Sequence, residues 1–182
     1  TESVSMKKFP IKDIYETFES IMVSLVVITL IIVFAFRAVS VDGDSMLPNF
    51  EHGDRLIVNR LAYKDKLPEY EDIVIFYCET KNYTLIKRVI GMPGDTVKVI
   101  DNKLYINDQL YDEEYLSDGV VTNDFSLMEL GYEKIPEDKY LVLGDNRENS
   151  LDSREIGLVN EKDIIGKISF RIWPLNKVGF PR

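Results

Sequence analysis

The segment SIMVSLVVITLIIVFAFRAV, residues 20–39, limits this chain more than any other feature. It carries a single charge, Arg37, near its far end. As a helix rising about 1.5 Å per residue, a run of this length spans ~30 Å, the thickness of a hydrocarbon core. A signal-peptide apolar region is shorter and leads to a small-residue cleavage site, whereas here VSVDGDSMLPN passes straight into strand and turn chemistry. A buried core helix is the other competitor, and the segment reads as a membrane anchor. Lys7, Lys8 and Lys12 precede it, and after Arg37 the next basic residue is Arg55. The positive-inside rule then makes residues 1–19 a cytoplasmic segment, 20–39 a single-pass anchor and 40–182 an extracytoplasmic domain.

The chain has one cysteine, Cys78, and one histidine, His52. Those counts leave no disulfide framework, no Cys/His metal cluster and little room for a histidine-based triad. A net charge of −9 argues against nucleic acid as a partner. His52 lies in the polar turn FEHGDRL and reads as a solvated turn residue.

Beyond the anchor the pattern is mostly β. RLIVNRLAY, DIVIFYC, TLIKRVIG, DTVKVI, KLYIND, KYLVLGD and DIIGKISFRIW are rich in Val, Ile, Tyr and Phe and are bounded by Gly, Pro, Asn and Asp. Residues 101–138 are acidic with scattered tyrosines and no strong period, which predicts a small insertion lobe or hairpin.

Within LIKRVIGMPGD, residues 85–95, two adjacent cations interrupt an apolar strand. Alternation places Lys87 on the face of Leu85 and Val89, and Arg88 outward with Ile86. A lysine there either lays its stem along apolar surface with the ammonium in water, or is held dry and neutral, because desolvation disfavours its charged form. A neutral amine is a base and needs something to deprotonate.

Two other segments put hydroxyls, cations and carboxylates in tight turns. GDSMLPN, residues 43–49, holds Ser45 between a Gly-Asp turn and Pro48. LGDNRENSLDSREIG, residues 143–157, packs Asp145, Arg147, Ser150, Asp152, Ser153 and Arg154 behind a strand. Singly, each has an ordinary structural explanation. In order, GDSMLPN, GDRLIVNRLAY, IKRVIGMPGD and GDNRENSLDSR behind an N-terminal anchor resemble the boxes of type I signal peptidases, in their Gram-positive form.

The resemblance implies a signal-peptidase-like β fold with a small insertion lobe, preceded by one transmembrane helix. It implies an enzyme of the bacterial cytoplasmic membrane, with no cofactor or metal, that cuts signal peptides from exported preproteins beside the lipid bilayer and the secretion machinery. By the same resemblance Ser45 is the nucleophile and Lys87 its general base. Ser150 hydrogen-bonds the Lys87 amine, Arg88 pairs with Asp145, and Asp152 pairs with Arg154. The family's oxyanion hole uses the nucleophile's backbone N–H and, in some members, a serine hydroxyl two residues earlier. Gly43 stands there, so backbone donors remain. Asn49 replaces the usual Thr or Ser after the proline. An extended substrate is best held by strand addition. The edges beside the dyad are Val41, Asp42 and Gly43 on one side and Tyr83 to Leu85 on the other, with Met46 and Ile86 as pocket walls. One alternative is a non-catalytic relative serving assembly of surface structures such as pili, disfavoured because both Ser45 and Lys87 are present. Another is a Ser-Lys self-cleaving repressor, which would carry a soluble DNA-binding domain in place of the anchor.

Overall fold

The structure is a computed structural model that describes residues 11–181. The chain divides into two compact units between Ala35 and Phe36. The first contains helix α1, Ile11–Ala35. Among the described residues it is the one helix long and apolar enough to cross a membrane. Its side chains are exposed from Lys12 to Phe34. Its hydroxyls are satisfied within the helix: Thr17 donates to the Asp13 carbonyl at 2.7 Å, Ser24 to Ser20 at 2.8 Å and Thr29 to Leu25 at 2.8 Å. That is how a polar side chain avoids stranding a donor in an apolar medium.

The helix starts before the apolar run and stops within it. Asp13 favours the helix N-terminus and Lys12 pairs with Glu16 one turn on, at 3.6 Å. At the other end Phe36–Ser40 leaves the helix to form strand β1, which ladders onto β2 (Arg55–Asn59) from Phe36↔Asn59 to Ser40↔Arg55. The last residues of the expected anchor are therefore strand. Lys7 and Lys8, part of the orientation argument, lie outside the described residues.

The second unit is mostly β, as its alternating sequence predicts. The strands β3 (Ile73–Cys78), β4 (Tyr83–Gly91), β5 (Val97–Ile100), β6 (Lys103–Ile106), β7 (Gln109–Leu110), β8 (Phe125–Ser126), β9 (Lys139–Leu143), β10 (Val159–Asn160) and β11 (Ile164–Trp173) follow in order. A seven-stranded antiparallel sheet runs β1-β2-β11-β3-β4-β9-β10 and a four-stranded one runs β7-β6-β5-β8. One short helix, α2 (Ser153–Ile156), is capped by the Asp152 side chain.

The smaller sheet begins at Val97, four residues before the expected lobe. Asp101-Asn102 and Asn107-Asp108, all at positive φ, make two-residue hairpin turns that force β5 into the same sheet as β6 and β7. The lobe has no separate core. Val97, Val99, Leu104, Phe125 and Ile135 pack in one cluster with Ile90, Leu141 and Leu143 of the larger sheet.

Around β3 and β4 the larger sheet is covered on both faces. Ile73 and Ile75 join Val41, Met46 and Phe50, while Val74 and Phe76 join Val89, Tyr140 and Val142. From Lys87 to Gly91 neither face of β4 is left to water, and this decides the fate of its two cations.

Candidate active site

Ser45 sits in a turn fixed on both sides. Val41 N–H donates to Asp54 O at 2.9 Å and Gly53 N–H to Val41 O at 2.9 Å, which staples the start of the turn to its end. Met46 and Phe50, each 1% exposed, anchor its middle in the core. From β11, Arg171 donates to the Asn49 carbonyl at 2.7 Å and pairs with buried Asp54 at 3.1 Å. Gly43, at φ +97, supplies a conformation that side chains resist. Its N–H donates to Nδ1 of His52 at 3.3 Å, so His52 is exposed as predicted yet has a partner.

Lys87 reaches Ser45 from the middle of β4. Its Nζ donates to Ser45 Oγ at 2.6 Å and to the Ile86 carbonyl at 3.0 Å. Lys87 is 1% exposed, so the dry lysine is present and the snorkelled one is not. Burial lowers its pKa from an ordinary 10.5 to about 8, against the opposite pull of Asp152 and Asp145. At that value about a tenth of the amines are neutral at pH 7. Such an amine can take a hydroxyl proton at this distance.

Arg88 does not face outward. It is as buried as Lys87, because both sheet faces are covered. A buried guanidinium needs a compensating charge, and Asp145 supplies it through two bonds, from Nε at 2.8 Å and Nη2 at 2.7 Å. Its third edge reaches the Glu71 carbonyl, and its carbon lies 4.1 Å from the centre of the Tyr115 ring. The expected pairing of Arg88 with Asp145 is formed, as is that of Asp152 with Arg154, at 2.8 and 2.7 Å.

The loop of residues 144–152 is tied to the Ser45 turn through its backbone. Asn146 N–H donates to the Ser45 carbonyl at 3.0 Å, and the Asn146 side chain to Asp44 O at 3.0 Å. Asn49 donates to Asp145 Oδ2 at 2.7 Å and to Tyr115 O at 3.0 Å. The Asn at this position thus bonds to residues that lie 66 and 96 positions further along the sequence. Ser150 departs from expectation. Its Oγ is buried and has no hydrogen-bond partner among the described residues, so its bond to Lys87 is not formed here.

The family described as signal peptidase, peptidase S26 matches residues 14–173. The chain belongs to the signal peptidase family. It is 39% identical over 178 residues to signal peptidase IB of Staphylococcus aureus (strain COL), covering 91% of this chain and 93% of that one. Signal peptidase I P of Bacillus subtilis subsp. natto is 36% identical over 176 residues, covering 91% and 92%. A crystal structure of a signal peptidase I from Enterococcus faecalis V583 matches with a TM-score of 0.53 at 36% identity, covering 57% of this chain and 98% of that one. The signal peptidase fold is thus shared, and this member is a hydrolase.

In this signal peptidase a groove of about 870 Å³ opens beside Ser45. It brings together the residues expected to hold a substrate: Val41, Asp42, Met46, Tyr83, Leu85 and Ile86 all line it. Met46 is 1% exposed, so it closes the floor more than it offers surface. The sequence reading missed Arg171, Glu113 and the contacts of Asn49 and Arg147. A basic residue at the end of β11 and a glutamate in an acidic stretch carry no pattern that separates them from solvated charges.

Proposed function

We propose that this chain is a membrane-anchored serine endopeptidase that removes signal peptides from exported preproteins, with Ser45 as nucleophile and Lys87 as general base. The observation that carries the reading is the 2.6 Å contact between a hydroxyl and a buried amine of lowered pKa. Neutral Lys87 takes the Ser45 proton as Oγ attacks the scissile carbonyl. The ammonium then protonates the departing amine, leaving an ester on Ser45. Once the amine has left, neutral Lys87 takes a proton from water, hydroxide attacks the ester, and the proton returns to Ser45. By the family resemblance Ser45 N–H is the donor to the oxyanion, while Gly43 N–H is directed to His52.

Two edges of the groove support docking as an added strand. Toward β9, β4 is paired only from Arg88 to Gly91, so among the described residues Tyr83 to Lys87 have no strand on that side. Val89 N–H points to Asp72 O on the β3 side, and alternation turns the N–H groups of Thr84 and Ile86 to the open edge. On the facing segment Val41 bonds inward to residues 53 and 54, which leaves the backbone of Asp42 outward. Small side chains of an extended peptide would enter beside Ile86.

The apolar surface of α1 supports an anchor, since water would disfavour so much exposed hydrocarbon. We read the anchor as single-pass, with its N-terminus in the cytoplasm and the catalytic unit outside. The preprotein's own apolar segment would then lie in the same bilayer, next to the secretion machinery.

The test is to incubate the detergent-solubilised full chain with a preprotein and sequence the new N-terminus. A cut after small residues at the first and third positions is expected, and none with Ser45→Ala. Processing by Ser45→Ala would remove the nucleophile assignment. Protease added to intact cells should reach sites beyond the anchor and spare residues 1–19, and cleavage within 1–19 would reverse the orientation.

A further inference from the structure

Gly144 packs against the backbone of the nucleophile turn and against Ser150. A Cβ placed on it would lie 2.5 Å from the Ser45 carbonyl oxygen and 2.1 Å from Ser150 Oγ. Both of its backbone groups are held by charged side chains. Its N–H donates to Asp152 Oδ2 at 3.0 Å, and its carbonyl accepts from Arg147 Nε at 3.0 Å. Arg154 completes a ring, donating to Asp152 and, at 2.9 Å, to the Arg147 carbonyl.

Arg147 is itself held from the lobe. Its guanidinium is wholly buried and donates to both carboxylate oxygens of Glu113, to Thr122 Oγ1 at 3.1 Å and to the Tyr115 hydroxyl at 3.1 Å. Glu113 is 12% exposed, so the pair is shielded from solvent. A buried pair of this kind is a weak source of net stability, yet removing one partner strands the other's charge and frees whatever it held. Here that is the Gly144 carbonyl.

We propose that Glu113 and Arg147 are positioning residues for the reaction: their ion pair lets the insertion lobe clamp Gly144, and through it sets Ser45 against Lys87. The inference rests on the Ser45–Lys87 reading above. Neither residue touches the reacting atoms. The lobe thereby serves catalysis and is more than an appended surface.

The experiment uses the full chain in detergent with a preprotein substrate, comparing wild type with Glu113→Gln, Glu113→Ala, Arg147→Ala, the Glu113→Ala/Arg147→Ala double variant, and Ser45→Ala as control. Misplacement of a catalytic group by an ångström lowers turnover roughly a hundredfold. Arg147→Ala should lose kcat on that scale and Glu113→Gln roughly tenfold, with KM held within roughly twofold. The double variant should be no worse than Arg147→Ala. Looser packing admits water to Lys87, so the rising limb of the pH profile should move to higher pH. A role confined to lobe stability predicts a lower Tm with kcat and the limb unchanged in the folded fraction, and that result overturns the proposal. If Arg147→Ala fails to fold, Glu113→Gln decides by the same two readouts. Ser45→Ala separates the two failures: an active Ser45→Ala removes the dyad itself, whereas an inactive one beside unaffected Glu113 and Arg147 variants removes only the clamp.

Discussion

Lys87 Nζ lies 2.6 Å from Ser45 Oγ, and its second contact is the carbonyl of its own neighbour, Ile86. In the ammonium form the lysine donates to both. Once deprotonated, the same distance lets the serine hydroxyl donate to the amine. In the proposed dyad the contact therefore works as a base only in molecules whose amine is neutral, a fraction that rises with pH through the lysine's folded pKa.

That pKa is about 8. At subsaturating substrate, kcat/KM should rise with pH to a midpoint near that value, because only the neutral amine accepts the proton. Lys87→Arg should be as inactive as Lys87→Ala, since a guanidinium cannot be deprotonated in a protein. Near wild-type turnover by Lys87→Arg would exclude the dyad.

The same burial has a signature in stability. Below about pH 8 the folded and unfolded chains both hold the Lys87 proton, and the penalty for a dry charge is fully present. Between about 8 and 10.5 the unfolded chain keeps the proton that the folded chain has released, so stability rises with pH across that window. Lys87→Met lacks this titration. At about 1.4 kcal/mol per pH unit, the stability of wild type relative to Lys87→Met should increase by roughly 3 kcal/mol from pH 7 to the top of the window. Urea unfolding of both proteins across that range measures it, and a difference that stays flat would mean that Lys87 is hydrated.

Arg88 and Asp145 are each 1% exposed. Asp145→Asn leaves the guanidinium without its compensating charge and should destabilise the fold by about 3–5 kcal/mol. Adding Arg88→Met should return part of that loss, because both charges are then gone. A double variant less stable than Asp145→Asn alone would contradict the account.

The strands were legible in sequence because they rest on local alternation, whereas the Ser45–Lys87 contact and the pairs Arg88–Asp145 and Asp152–Arg154 were legible only through the resemblance of their motifs to a known family. The lysine's face followed from the parity of Leu85, Lys87 and Val89, while the burial of Arg88 did not, since parity cannot say that a sheet is covered twice. The end of α1 was misplaced because Phe36–Val39 is apolar enough for helix or strand, and the β2 ladder decides between them. The turn Asp101-Asn102 carried a hairpin signal that would have moved the lobe boundary to Val97. The clamp on Gly144 was illegible for a different reason. It joins Glu113 to Arg147 across 34 positions, with nothing in either local pattern to mark the partner.

Gly144→Ala tests how tightly that loop is seated. The added methyl would meet Ser150 Oγ at 2.1 Å, Ser150 Cβ at 2.6 Å and the Ser45 carbonyl oxygen at 2.5 Å. A side chain can turn aside, but the Ser45 carbonyl is backbone and also accepts from Asn146 N–H. The loop must therefore move away from the nucleophile. Overpacking of this kind destabilises by roughly 1–3 kcal/mol. The displacement should lower kcat/KM about a hundredfold or more. Ser150→Ala alone should cost little stability, since its Oγ has no partner to lose. Combined with Gly144→Ala it should not restore activity, because Ser150 Cβ and the Ser45 carbonyl still stand in the way. Cleavage assays on the three variants decide it: recovery in the double variant would show that the hydroxyl alone, and not the backbone of the nucleophile turn, requires glycine at this position.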